Sequence, residues 1–197
     1  MRKTLVSALV SALLIASTTV GVMAYDGHAF PGKGSRADWN RAAQFNSAGN
    51  RLSDKGKYTE ALVSYNKAIA IYPYDASTHY NKGITLFSLS NNQAAIAEYR
   101  KSIELAPSWP DPYNNLADGL KALKNFKEAE SVCRKGMFLK PSDPAFLITL
   151  AEIFMETNRL SEAKKLLTTA SKMKPMPGDE EAVADALKCD FNKLSGK

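Results

Sequence analysis

Residues 61–73 read ALVSYNKAIAIYP. The same pattern returns as AIAEYRKSIELAP at 95–107, AESVCRKGMFLKP at 129–141 and AKKLLTTASKMKP at 163–175. Each copy opens on alanine, closes on proline and begins 34 residues after the one before. Self-similarity at a fixed period of this size marks a repeat architecture, in which one supersecondary unit is stacked several times. Within the copies, apolar residues fall at helical spacing, as in Leu62, Tyr65, Ile69 and again Ile96, Tyr99, Ile103. The closing proline ends each helix, because it lacks an N–H and biases the preceding residue away from the α conformation.

A second helix precedes each of these in the same register. Small residues recur at Gly49, Gly83, Ala117 and Ala151, and large apolar ones at Leu52, Leu86, Leu120 and Phe154. Between the helices lie Lys55-Gly56-Lys57, Asn91-Asn92, Lys124-Asn125 and Asn158-Arg159. Their Gly and Asn residues are expected to take the left-handed conformation that ends a helix. Asp75, Asp111 and Asp143 are expected N-caps, with Pro112 and Pro144 at the first helical position.

Each unit resembles a tetratricopeptide repeat, two antiparallel helices in 34 residues. The resemblance implies an all-α, right-handed α-solenoid of four repeats, 42–75, 76–109, 110–143 and 144–177. It places the small residues and Ala61, Ala95, Ala129 and Ala163 where the two helices of a unit cross. A stack of helix pairs needs a polar end. Residues 178–197 suit that role as a capping helix and tail: Asp179, Glu180 and Glu181 favour the helix start, and Val183, Leu187, Phe191 and Leu194 make one stripe.

The 197 residues are 45% apolar and 23% charged, which excludes a wholly disordered chain, collagen and a disulfide-dense miniprotein. A single long apolar stretch excludes a polytopic membrane protein. That stretch follows Arg2 and Lys3, runs from Leu5 to Ala16 and leads to Val22-Met23-Ala24, an export-signal pattern with cleavage expected after Ala24. Thr4 to Ala24 is also about long enough to span a bilayer, and a retained anchor is the alternative. Residues 25–41 follow as a linker and lead-in, with Trp39 packing on the first repeat. Of the net +6, two charges sit on Arg2 and Lys3, leaving +4, which does not imply a nucleic-acid partner.

No motif points to an enzyme or to a cofactor. His28 and His79 are the only histidines; His79 stands at a packing position, and His28 with Asp26 makes too small a set for a metal. There is no phosphate-cradling glycine loop and no Gly-x-Ser-x-Gly elbow. Cys133 is expected as a buried apolar residue. Helix spacing argues against a bond from it to Cys189 on the capping helix.

The resemblance implies that the first helices line a concave groove for an extended peptide or a partner helix. Carried over residue by residue, that groove presents Asn50, Tyr80, Asn81, Ile84, Phe87, Asn114, Asn115, Asp118, Ile148 and Glu152. One use of such grooves is a basic clamp on a C-terminal carboxylate. Asn50 and Asn81 match its asparagines, but Asn46, Asp111 and Asn115 stand where Lys, Lys and Arg are required, so this use is rejected. Another is a ladder of asparagines on the peptide backbone, matched by Asn81 and Asn115 and departed from by Ser47 and Thr149. An amide can pair with both N–H and C=O; solvated asparagines are the plainer reading. Asp118 and Glu152 are expected to make the far half of the groove acidic. On the outer face Lys67, Lys101 and Lys135 recur with Arg100 and Arg134, either as a solvated face or as a strip toward an anionic membrane. The resulting expectation is an exported binding module or scaffold of the bacterial periplasm with a protein or peptide partner. Self-assembly by repeat stacking or capping-helix exchange is the alternative.

Overall fold

The structure is a computed structural model, and it describes residues 32–173. The expected signal segment, residues 25–31 of the linker, Cys189 and the capping helix lie outside the described residues. Among those described, eight helices follow one another: α1 (Arg36–Asp54), α2 (Tyr58–Ile71), α3 (Ala76–Ser88), α4 (Asn92–Leu105), α5 (Asp111–Ala122), α6 (Phe126–Leu139), α7 (Pro144–Glu156) and α8 (Leu160–Ala170). They pair as α1 with α2, α3 with α4, α5 with α6 and α7 with α8, one pair to each 34-residue unit. Each second helix also packs on the first helix of the next unit. Along the inner wall α1 touches α3, α3 touches α5 and α5 touches α7, whereas the backbones of the second helices stay apart, and α4 and α6 meet through the Arg100–Glu128 ion pair. The fold is therefore the paired-helix solenoid that the repeats require.

The crossing inside each unit explains the small residues. In the first two units, glycine faces tyrosine: a Cβ on Gly49 would stand 2.5 Å from Tyr65, and one on Gly83 2.6 Å from Tyr99. In the third and fourth units the same places hold Ala117 with Cys133 and Ala151 with Leu167, all buried. A smaller facing side chain leaves room for a methyl group, so volume is conserved across the repeats. The main core runs through α3 to α8, including Leu86, Tyr99, Leu120, Phe146, Phe154 and Leu167.

α1 starts at Arg36, capped by the Ser35 hydroxyl, which accepts from the backbone N–H of Ala37 at 3.1 Å. Trp39 packs with Ala42, Ala68 and Tyr72, as expected. Asp75 and Asp143 are N-caps as expected, but Asp111 is not. Pro110 already has helical dihedrals and occupies the cap, so Asp111 falls in the first turn, where its carboxylate accepts from Trp109 Nε1 at 3.2 Å. The turn chemistry also differs from expectation. The left-handed residue is Gly56, Ser90, Lys124 and Asn158, the same register place in every unit. Asn91 comes one residue later and instead caps α4, accepting from Ala94 N–H. α2, α4 and α6 end on non-helical C-cap residues, Tyr72, Ala106 and Lys140, each directly before a proline. α8 ends earlier in the register. Its last turn carries Thr168 and Thr169, whose hydroxyls donate back to the carbonyls of Lys164 and Lys165.

Candidate functional site

The first helices α1, α3, α5 and α7 carry a seam of polar side chains that joins one unit to the next. Its first part is anchored by Asp75, which is buried and caps α3; the Ser77 hydroxyl donates to it at 2.9 Å. Asn46 of α1 donates through Nδ2 to Ser77 Oγ at 3.3 Å, and its Oδ1 accepts from Asn81 Nδ2 at 3.1 Å. One unit on, Asn115 Nδ2 donates to the Tyr80 hydroxyl at 3.1 Å. Asn81 and Asn115 thus make the same move: each donates to the residue 35 places before it. The next residue in that register is Thr149, a buried threonine that carries no amide to make the same move. The residue 35 places before it is Asn114, and Asn114 Oδ1 is buried with no hydrogen-bond partner among the described residues.

The seam ends in a charge cluster. Lys121 Nζ donates to Asp118 at 2.8 Å and also to Glu152 on the neighbouring helix. Burial pushes the Asp118 carboxyl above the usual carboxylate range, although Lys121 opposes it. Burial would lower Lys121, but Asp118 and Glu152 outweigh it and raise the ammonium pKa. The far half of the groove is accordingly less acidic than expected: the lysine stands between the two carboxylates and leaves one excess negative charge. Lys121, Glu152, Met155 and Leu160 line part of a 640 Å³ concavity there.

The remaining expected groove residues divide by burial. Tyr80 is half-buried, its ring 4.7 Å from Trp109, and burial holds its phenol well above the ordinary range. Asn50 accepts from the Tyr65 hydroxyl at 2.8 Å. Ile84 leans on the main core, while Phe87 remains 38% exposed. Ile148 is only 8% exposed because it packs with Leu147 and Ala170, so it offers the groove little surface of its own. The seam brings Tyr80 to Asn115 and Asp118 to Glu152. Trp109, which orders Tyr80, and the bridging role of Lys121 were not foreseen; a tryptophan at the end of a unit was the only signal for the first.

Elsewhere the charges are mostly satisfied. His79 is buried: Nδ1 lies 2.7 Å from Glu98 and Nε2 3.2 Å from the Pro73 carbonyl. Lys82 adds a 2.6 Å ion pair to Glu98. On the outer row, Lys101 pairs with Glu104, Arg100 with Glu128 and Arg134 with Glu130, and Lys67 sits over the Phe45 ring. Cys133 is a free, buried thiol donating to the Phe146 carbonyl, and burial pushes it up to about 12. Among the described residues no group of three or more His, Cys, Asp or Glu could hold a metal ion, and no helix is long and apolar enough to cross a membrane.

Comparison with known proteins agrees with this geometry. Family models described as TPR repeat and tetratricopeptide repeat match residues 49–90, 76–108 and 120–188. The chain belongs to the tetratricopeptide-repeat family. Repeats of this family are scaffolds rather than catalytic domains, in keeping with the absence of any catalytic motif in the sequence. Among solved structures, MamA from Desulfovibrio magneticus RS-1 superposes with a TM-score of 0.63 at 17% identity, covering 66% of this chain and 74% of that one. The first TPR of Spaghetti (RPAP3), bound to the HSP90 peptide SRMEEVD, gives 0.59 at 23% identity, covering 60% and 94%. YrrB, described as a TPR protein with an unusual peptide-binding site, gives 0.59 at 17% identity, covering 78% and 77%. At these identities the likeness is one of fold. No curated protein matches the sequence.

Proposed function

We propose that this tetratricopeptide-repeat chain is a scaffold that holds an extended peptide segment of a protein partner along α3, α5 and α7. One observation carries the reading. Asn81 and Asn115 each engage their amide donor with the preceding helix, which fixes the side chain and leaves its carbonyl oxygen without a bond among the described residues. Two fixed acceptors one unit apart suit backbone N–H groups of an extended chain. Phe87 and Met155 add apolar contact, and the residual negative charge of the Asp118, Lys121 and Glu152 cluster favours a neutral or basic stretch. The structures of Spaghetti with its HSP90 peptide and of YrrB with its peptide-binding site lend support by analogy of fold. A C-terminal carboxylate is not the ligand, since Asp111 and two asparagines replace the basic residues it needs. The pattern at 1–24 supports a site of action beyond the cytoplasmic membrane, in a bacterial periplasm.

The test is affinity capture from an envelope extract, parent beside Asn81→Ala/Asn115→Ala, with circular dichroism confirming that both are folded. A partner held by the parent and lost by the double variant is the expected result. A partner retained by both, or capture of nothing but the chain itself, would rule the groove out.

A further inference from the structure

Each unit shows one register place to solvent three residues before its proline. Ala70, Glu104 and Lys172 occupy it in three units, all exposed. In the third unit it is Phe138, 86% exposed. The next residue, Leu139, is 38% exposed, where Ile71, Leu105 and Met173 are partly covered. Arg134 and Lys135 stand one turn earlier on the same helix face. Glu130 holds the Arg134 guanidinium at 2.8 and 3.0 Å, while Lys135 has no ion-pair partner among the described residues. Tyr113, Arg134, Lys135, Phe138 and Leu139 line a concavity of about 340 Å³.

We propose that this outer patch is a second docking site, independent of the groove, for an acidic amphipathic segment of a protein. An apolar side chain of that segment seats beside Phe138 and Leu139, and an Asp or Glu one helical turn away pairs with Lys135. Charge and shape select this occupant. A bilayer is flat and is attracted by several free cations, whereas the neighbouring Lys101, Arg100 and Arg134 are already paired with carboxylates. A second copy meeting the patch symmetrically would set Lys135 against Lys135.

A random peptide library selected on the purified protein tests the site, with Phe138→Ser, Lys135→Glu and Lys135→Arg as variants and Asn115→Ala as the groove control. Phe138 and Lys135 both face solvent, so the fold survives their replacement. The expected clones place an apolar residue one turn from an acid and bind parent and Asn115→Ala alike. They lose about tenfold or more in affinity on Phe138→Ser and Lys135→Glu and regain it on Lys135→Arg. The proposal is overturned if no selected peptide weakens on Phe138→Ser. It is equally overturned if Phe138→Ser abolishes binding to anionic vesicles or halves the particle mass, which would assign the patch to lipid or to self-association.

Discussion

Gly83 and Tyr99 meet across the α3–α4 crossing so closely that a Cβ on the glycine would fall 2.6 Å from the tyrosine ring. The pair is one volume shared by two residues. Gly83→Ala is expected to lower stability by about 2 kcal/mol, because overpacking outweighs the roughly 1 kcal/mol gained in helix propensity. Gly83→Ala/Tyr99→Leu recreates the Ala151 and Leu167 pairing and should lose less than the two single changes together. Urea denaturation of the four proteins measures the coupling; simple additivity would contradict the shared volume.

The incomplete rung between α5 and α7 offers a gain of stability. Thr149→Asn sets an amide where Asn81 and Asn115 stand in their units. Its two N–H groups can serve Asn114 Oδ1 and Asp118 together. The expected gain is about 1 kcal/mol. A lower denaturation midpoint, or a crystal structure showing Asn114 Oδ1 still alone, would refute it.

Glu98 gives the fold a dependence on acid. Burial raises its pKa, but the hydrogen bonds from His79 and Lys82 outweigh burial and hold the carboxyl below 4.5. A depressed folded pKa means that its contribution is complete above the unfolded value and is lost as pH falls through the folded one. Glu98→Gln should therefore cost about 2 kcal/mol at neutral pH and progressively less below about pH 4. Paired denaturation curves across that range decide the matter, and a pH-independent difference would exclude the linkage.

Ser90 holds φ of 60° in an exposed turn. A side chain there is strained, and glycine is not. Ser90→Gly is expected to stabilise by roughly 0.5–1 kcal/mol, unlike glycine at most surface positions, which destabilises. Thermal melts of Ser90→Gly and of a neighbouring exposed control, Ser88→Gly within α3, should move in opposite directions.

The Cys133 thiol is buried and pushed up to about 12. In a Cys189→Ser background, a thiol reagent at pH 8 should leave the native protein unlabelled and react fully after denaturation. Rapid native labelling would show that the third unit opens readily.

The period of 34 made the helix pairs legible, because each crossing repeats its small residue and its partner in one register. The groove face was legible for the same reason. Its chemistry was less so. Lys121 neutralises Glu152 from the adjacent helix, and Asn114 Oδ1 is left without a partner among the described residues, both outcomes of side-chain reach between units. The burial of Ile148 depends on Ala170, which is distant in sequence. At the turns, residue type was a weaker guide than register: Ser90 and Lys124 take the left-handed place although asparagines stand beside them.

Contacts between successive units run along the inner wall and through each second helix onto the next first helix, while second helices meet through exposed side chains, as in the Arg100–Glu128 ion pair. The solenoid is therefore an asymmetric spring. Its outer coils can spread at the cost of a few exposed ion pairs, whereas any change of curvature shears the amide rungs inside. A peptide laid across those rungs would splint the spring, stiffening the whole stack from a footprint of a few residues.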